Sequence, residues 1–202
     1  MAAAIVFYVS GHGFGHATRT IEVINAVLAK RPETRIGVRT AAPRWLFDLT
    51  VKGKVAFSTL ECDTGVVQID SLHLDANATI ERAVAFHDNL DRRASDEARW
   101  LAAAGVRLVV GDIPPLAFAA ARAAGLPALA LGNFTWDWIY AGYQDVSPDV
   151  PALVARLQDA YRTARRRYGF RCTGASRRSA RSSIFRSSPG GRRVTRSRCA
   201  RC

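Results

Sequence analysis

Ile5-Val6-Phe7-Tyr8-Val9-Ser10-Gly11-His12-Gly13-Phe14-Gly15-His16 is the stretch on which the reading of this chain turns. Ile5–Val9 is an unbroken apolar run closed by Ser10-Gly11, the pattern of a strand buried on both faces of a parallel sheet. From His16 the period changes. Ala17, Ile21, Ile24, Val27 and Leu28 recur at helical spacing until Lys30-Arg31-Pro32 stops them. A strand, a glycine-rich turn and a helix therefore follow one another within the first 30 residues.

The same alternation continues outward. Further strands are expected at Arg35–Thr40, Val55–Leu60, Val106–Gly111 and Ala128–Gly132. Pro43 opens a short helix containing Trp45, Leu46 and Leu49, and residues 61–78 read as polar and irregular. One long helix is expected from Thr79 to Ala104, with Ile80, Val84, Leu90, Ala94, Ala98 and Leu101 inward. Pro114-Pro115 suits the start of a helix over Leu116–Ala124, and a last helix covers Val150–Arg166. Strands alternating with helices imply an α/β fold, a Rossmann-like parallel sheet with helices on both faces. Such sheets bind ligands beyond the carboxyl ends of their strands. The loops to watch are thus Ser10–Gly15, Asp112–Pro115 and Asn133–Asp137.

The chain has 202 residues, with 29 Lys and Arg against 17 Asp and Glu, for a formal charge of +12. That charge is concentrated in residues 171–202, which hold ten arginines and no acid. The body is close to neutral, so the whole-chain charge says little about its partners. Two segments follow: a domain at 1–166 and a basic Arg/Ser-rich tail at 167–202, expected to be disordered because it has no hydrophobic period. No apolar run approaches the ~20 residues of a membrane span, and the opening residues lack a signal peptide's positive flank. With Cys62 the only cysteine of the body, no disulfide framework is implied, and a reducing cytoplasm is the expected compartment.

Three loops carry chemistry. Gly11, Gly13 and Gly15 let the backbone turn tightly beside a ligand, and the helix that follows offers free N–H groups to an anion. The spacing is not the dinucleotide fingerprint, and the second strand, ending Gly37-Val38-Arg39-Thr40, lacks its acid. A nicotinamide-type oxidoreductase is therefore disfavoured. Asp112 ends an apolar strand, where it could cap a helix or orient a histidine and stabilise its imidazolium. In Asn133-Phe134-Thr135-Trp136-Asp137-Trp138, polar residues interleave with aromatics, as in loops that hold sugars. Phe134 and Trp138 are the aromatics expected to close the core. His87 reads as structural. Cys62, Asp63, His73 and Asp75 are metal-ligand types at a spacing that matches no zinc pattern.

Three strings together resemble a known group: Tyr8 to Arg19, Gly111-Asp112-Ile113-Pro114-Pro115, and Asn133 to Tyr140. They are similar to the family 28-like glycosyltransferases of GT-B fold, and to the amino-terminal region of plant L-arabinokinases, where a sugar kinase domain follows. The resemblance runs from about Ile5 to Tyr161. It implies two facing Rossmann-like domains, of which the acceptor-side one is present and the donor-binding one is missing. It implies inverting sugar transfer without a metal at the reaction centre. The donor would be a nucleotide sugar, UDP-linked, and the acceptor a hydroxyl compound; no separate cofactor is implied. His16 would be the base, an imidazole being suited to that role at neutral pH, and Asp112 would orient it. Gly11, His12, Gly13, Phe14, Gly15, Arg19, Asn133, Thr135, Trp136 and Asp137 would contact substrate.

The alternative is a sugar- or partner-binding module in front of a kinase domain. A nucleic-acid binder acting through the tail is less favoured, although ten arginines would give a steep salt dependence. The alternation of Arg and Ser also fits translation of a GC-rich gene in the wrong frame. Shifted by one base, Arg167–Ser176 permits the peptide LRLPLHGGF, and Ala180–Gly191 permits AIVDLPLVARR; both look like continuations of the family. The expectation is that the native sequence ends near Arg165. Sequencing the source gene past codon 160 should reveal a one-base-shifted frame that stays open and resumes the family pattern. A closed frame would make the arginine tail genuine.

Overall fold

Val6, Phe7, Tyr8 and Val9 are all buried, because both faces of the strand they form are covered. The structure is a computed structural model, and it describes residues 4–164 and 166–168. In chain order the elements are β1 (Ile5–Val9), α1 (Phe14–Lys30), β2 (Ile36–Thr40), α2 (Arg44–Thr50), β3 (Val55–Thr59), β4 (Val67–Gln68) and β5 (Leu74–Asp75). Then come α3 (Ala76–Asp88), α4 (Leu90–Ala103), β6 (Leu108–Asp112), α5 (Pro115–Ala123), β7 (Ala128–Leu131), α6 (Trp136–Tyr140), α7 (Val150–Tyr161) and β8 (Arg166–Tyr168). The main sheet runs β3-β2-β1-β6-β7-β8, parallel at every pairing. This is the Rossmann-like sheet expected from the alternation.

Strand alternation divides the core. Val6, Tyr8 and Val109 face one layer with residues of α3, α4, α5 and α7. Phe7, Val9, Val38 and Val110 face the other with residues of α1 and α2. The order reverses between β1 and β6, where Val9 lies beside Asp112. At that switch point the chains leaving the two strands diverge and open a crevice.

Four expectations need correction. The long helix is two, α3 and α4, broken at Asn89, whose ψ of 17° leaves the helical range and whose N–H turns back to the His87 carbonyl. The buried face survives the break as Ile80, Ala83, His87, Leu90, Ala94 and Leu101, while Val84 and Ala98 are only half-buried. Residues 61–78 contain a small antiparallel ribbon, β4–β5, whose turn is fixed by Asp70 accepting from the amides of Leu72 and His73. The last helix ends at Tyr161 rather than Arg166. There the Thr163 hydroxyl donates to the Ala160 carbonyl, and the chain leaves to pair β8 with β7. Arg167 and Tyr168 of the expected tail lie in β8; residues 169–202, and the disorder and frameshift expected of them, lie outside the described residues.

One polar cluster is embedded in the sheet face. Glu97 of α4 accepts from Tyr8 Oη at 2.6 Å and from Arg39 at 2.6 Å, and the Arg39 guanidinium lies 4.0 Å over the Trp100 ring. Removing one member of such a buried pair strands the other charge. Glu97→Ala should therefore cost about 3–5 kcal/mol in urea unfolding, and Glu97→Gln less, because its amide can still pair with Tyr8.

Candidate functional site

Asp112 is the last residue of β6 and shares the strand face of Val110, the face covered by α1. On α1, His16, Arg19 and Thr20 stand at i, i+3 and i+4, on one side of the helix. The two periods bring all four together. His16 Nδ1 lies 2.9 Å from Asp112 Oδ1, Arg19 Nε donates to Oδ2 at 3.1 Å, an Arg19 terminal nitrogen donates to Oδ1 at 2.5 Å, and Thr20 Oγ1 donates to Oδ2 at 2.8 Å. Asp112 is only 1% exposed, so these donors replace its water.

The contact fixes the imidazole tautomer. A nitrogen lone pair does not face a carboxylate oxygen at 2.9 Å, so Nδ1 carries the proton and donates it. Nε2 is left with a lone pair, and among the described residues it has no hydrogen-bond partner. Arg19, expected to contact substrate, turns its fork onto Asp112 and balances the charge of that buried carboxylate, while its remaining nitrogen donates to Asn133 Oδ1 at 3.2 Å.

A second buried carboxylate lies beside the first site, one that sequence reasoning set aside as a failed metal ligand. Asp63 accepts from Ser10 Oγ at 2.9 Å and from Trp136 Nε1 at 2.7 Å. Ser10 Oγ in turn accepts the His12 amide at 3.2 Å. Burial pushes the Asp63 carboxyl up to about 6, against the pull of its two donors and of His16. Gly65, at φ +65°, presses on the His12 ring so closely that a Cβ there would sit 2.4 Å from it. Burial, and His16 after it, lower the pKa of His12. The rule that singled out Asp112, an acid just beyond the carboxyl end of a strand, also applies to Asp63 after β3.

The glycine turn ends in Gly13, which precedes α1 at φ +74° with no side-chain cap on the helix. Phe14, 57% exposed, rests edge-on against Trp45. Around His16, the rings of Phe134 and Trp136 stand at 5.6 and 6.5 Å. Trp136, expected to contact substrate, is buried, and Trp138, expected to close the core, is exposed. α6 starts at Trp136, so Trp136 and Tyr140 point inward one turn apart and stack at 5.6 Å, while Trp138 is 52% exposed. Trp136 is therefore a wall of the site and offers no open face to a sugar. Thr135 precedes α6, and Asp137, half-buried, has one carboxylate oxygen without a partner among the described residues. Ile113, next to Asp112, is held at φ +62°, a conformation costly for a β-branched residue. The Tyr161 hydroxyl secures it by donating to its carbonyl at 2.5 Å.

The chain is similar to the L-arabinokinase of Arabidopsis thaliana. The two are 36% identical over 141 residues, 68% of this chain, which spans only 13% of that protein's length. No family model matches. Among solved structures, the chain is similar to Phytolacca americana UGT2 complexed with UDP-2fluoro-glucose and pterostilbene (TM-score 0.41, 15% identity, 69% of this chain and 33% of that one). It is also similar to CalG4, the calicheamicin glycosyltransferase (TM-score 0.47, 20% identity, 79% and 42%). L-arabinokinase is one of the two groups that the motifs resemble.

The remaining candidates have local roles. Cys62 points its thiol at the carbonyls of Arg39 and Leu60, His73 pairs with Asp70, and Asp75 caps α3 by accepting from the Ala78 amide. His87 is fully buried, bonded through Nδ1 to the Ala83 carbonyl, and burial lowers its pKa to about 4. A cavity of about 740 Å³, lined by Leu28, Ile36, Phe47, Val51 and Val55, includes no expected site residue. No helix among the described residues is long and apolar enough to cross a membrane.

Asp63 and His87 give opposite pH slopes. Asp63 titrates near 6 in the folded protein against an ordinary carboxyl value of 3.8, so its contribution to stability is lost as pH rises from 4 through 6. His87 titrates near 4 against an ordinary imidazole value of 6.5, so its contribution is lost as pH falls over much the same window. The wild type should thus be flat there. In Asp63→Asn, which cannot ionise, unfolding free energy should rise relative to wild type by up to about 3 kcal/mol between pH 4 and 7. Urea titrations at the two pH values check this.

Proposed function

We propose that residues 1–166 are the acceptor-side domain of a GT-B glycosyltransferase-like protein, with His16 as its base. The observation that carries this is the His16 Nδ1 to Asp112 Oδ1 contact of 2.9 Å at the switch point of the sheet. With Nδ1 protonated and held, Nε2 takes the proton of an acceptor hydroxyl as that oxygen attacks the anomeric carbon. The bond to the nucleoside diphosphate breaks with its electron pair, and a single displacement inverts the centre. Asp112 offsets the imidazolium that forms, and Arg19 pairs with the buried carboxylate. The step asks for no metal.

Gly11, His12, Gly13, Phe14 and Gly15, with the uncapped first turn of α1, favour an anionic or hydroxyl-rich ligand over the turn. Asn133, Thr135 and Asp137 supply polar groups on the facing loop. In this reading a following domain completes the donor site while the UDP-linked sugar and its diphosphate also reach the glycine turn, so the chain alone binds the donor but is inactive in transfer. A cytoplasmic location fits the single cysteine, Cys62, of the body.

The L-arabinokinase similarity favours a second reading, in which the same site binds a sugar or a partner ahead of a kinase domain. Residues 169–202, through which nucleic acid would be bound, lie outside the described residues. Saturation-transfer NMR on the purified 202-residue chain with UDP-glucose, UDP and L-arabinose distinguishes these readings. UDP-glucose should receive saturation on its sugar ring, and His16→Ala should weaken that binding by about tenfold without loss of fold. Saturation of L-arabinose alone would favour the second reading, and of no probe would overturn both. Release of UDP with an acceptor present would overturn the inactivity of the single domain.

A further inference from the structure

Asp112 has a guanidinium beside it, but the donors that Asp63 holds are neutral. Those donors come from different parts of the chain. Ser10 belongs to the glycine turn after β1, Trp136 opens α6 after β7, and Asp63 itself follows β3. One carboxylate thus ties together three loops at the carboxyl end of the sheet. Through Ser10 the tie extends to the His12 amide, and through Trp136 to the ring cluster around His16. Trp136 touches His12, His16, Phe134 and Tyr140, so its orientation sets the walls on both sides of the glycine turn.

We infer that Asp63 is a positioning residue for His16, clamping the Trp136 indole and the glycine turn into one rigid wall around the imidazole. Its importance for ligand binding rests on the functional reading above, but the clamp itself does not. A carboxylate buried without a cation is costly, and an apolar residue would fill the same space more cheaply if only packing were required. What a carboxylate adds is two strong acceptor sites that fix the indole N–H and the serine hydroxyl at once. The Thr64 and Gly65 that follow extend the clamp: Tyr140 Oη donates to the Gly65 carbonyl at 2.8 Å, and Gly65 presses on His12. The titratable groups facing Asp63 are His16 of α1, Asp112 of β6, Tyr140 of α6, Tyr161 of α7 and the neighbouring Cys62.

NMR of the unliganded full chain tests the clamp separately from the function. The Trp136 indole N–H should resonate downfield of those of Trp45, Trp100 and Trp138, and step as pH crosses about 6. Asp63→Asn should keep the downfield position, because its oxygen accepts from Trp136 while its amide donates to Ser10, and should lose the step. Asp63→Ala should move the indole upfield, and the His16 ring and His12 amide resonances with it. An Asp63→Ala protein in which only Trp136 moves would overturn the inference, as would a wild-type Trp136 indole that resonates with the other three. Where Asp63→Ala does not fold, Trp136→Phe removes the same bond from the other side and should shift His16 and His12 likewise; unchanged shifts would overturn the clamp. If UDP-glucose binds, Asp63→Ala should weaken it by about tenfold and Asp63→Asn restore it to within about threefold. If no sugar binds, the functional reading fails while the resonance pattern still decides the clamp.

Discussion

Asp112 accepts hydrogen bonds from three side chains of one helix, and that contact holds the crevice in its shape. The carboxylate ends a central strand, where it is cut off from water. Left unpaired it would be expensive. His16, Arg19 and Thr20 of α1 each bond to it, so the helix is keyed to the strand in rotation as well as in height. A slide of one helical residue would break the whole set. The chemistry available to His16 therefore comes from the same bonds that seat α1 on the sheet.

The two buried carboxylates differ in how their burial is offset. Asp112 has a cation within 2.5 Å and four donor atoms around it. Asp63 has a hydroxyl and an indole, which stabilise its charge less, and its carboxyl is raised to about 6. Neutral donors suit a group that orients rings, because they impose direction without adding a competing charge near His16. A guanidinium suits Asp112 for another reason. It pairs the buried charge directly while leaving Oδ1 in contact with the imidazole.

Much of this was legible from the residues. The apolar run at Ile5–Val9, the three glycines and the helical period after His16 led to the first strand, turn and helix, and strand alternation placed Asp112 at a carboxyl end. What escaped was decided by tertiary contact. Asp63 sits in a polar segment with no period, and nothing local says that it turns inward under Trp136. Trp136 and Trp138 are two residues apart, and which one is buried depends on where α6 begins, a boundary where the N-cap residue, Thr135, makes no capping hydrogen bond. Arg19 and Asp112 are 93 residues apart, so no local pattern announces their pairing. The break at Asn89 left the buried spacing almost unchanged, so periodicity could not detect it.

The strained turn at Ile113 completes the logic of the crevice. A β-branched residue at φ +62° is tolerated only where its surroundings over-determine it. Tyr161 of α7 does so by bonding its carbonyl, and Pro114 and Pro115 fix the backbone that follows. The same tyrosine hydroxyl accepts the Trp136 amide at 3.3 Å. One hydroxyl thereby joins the turn after β6 to the start of α6. The loop carrying Asp112 and the loop carrying Trp136 are then coupled at the back by Tyr161 and at the front by the His16 cluster. Asp63 enters that arrangement from the third side. An imidazole confined between two loops, each anchored twice, has little freedom to leave the orientation that Asp112 gives it, and such confinement is what the role proposed for His16 asks of it.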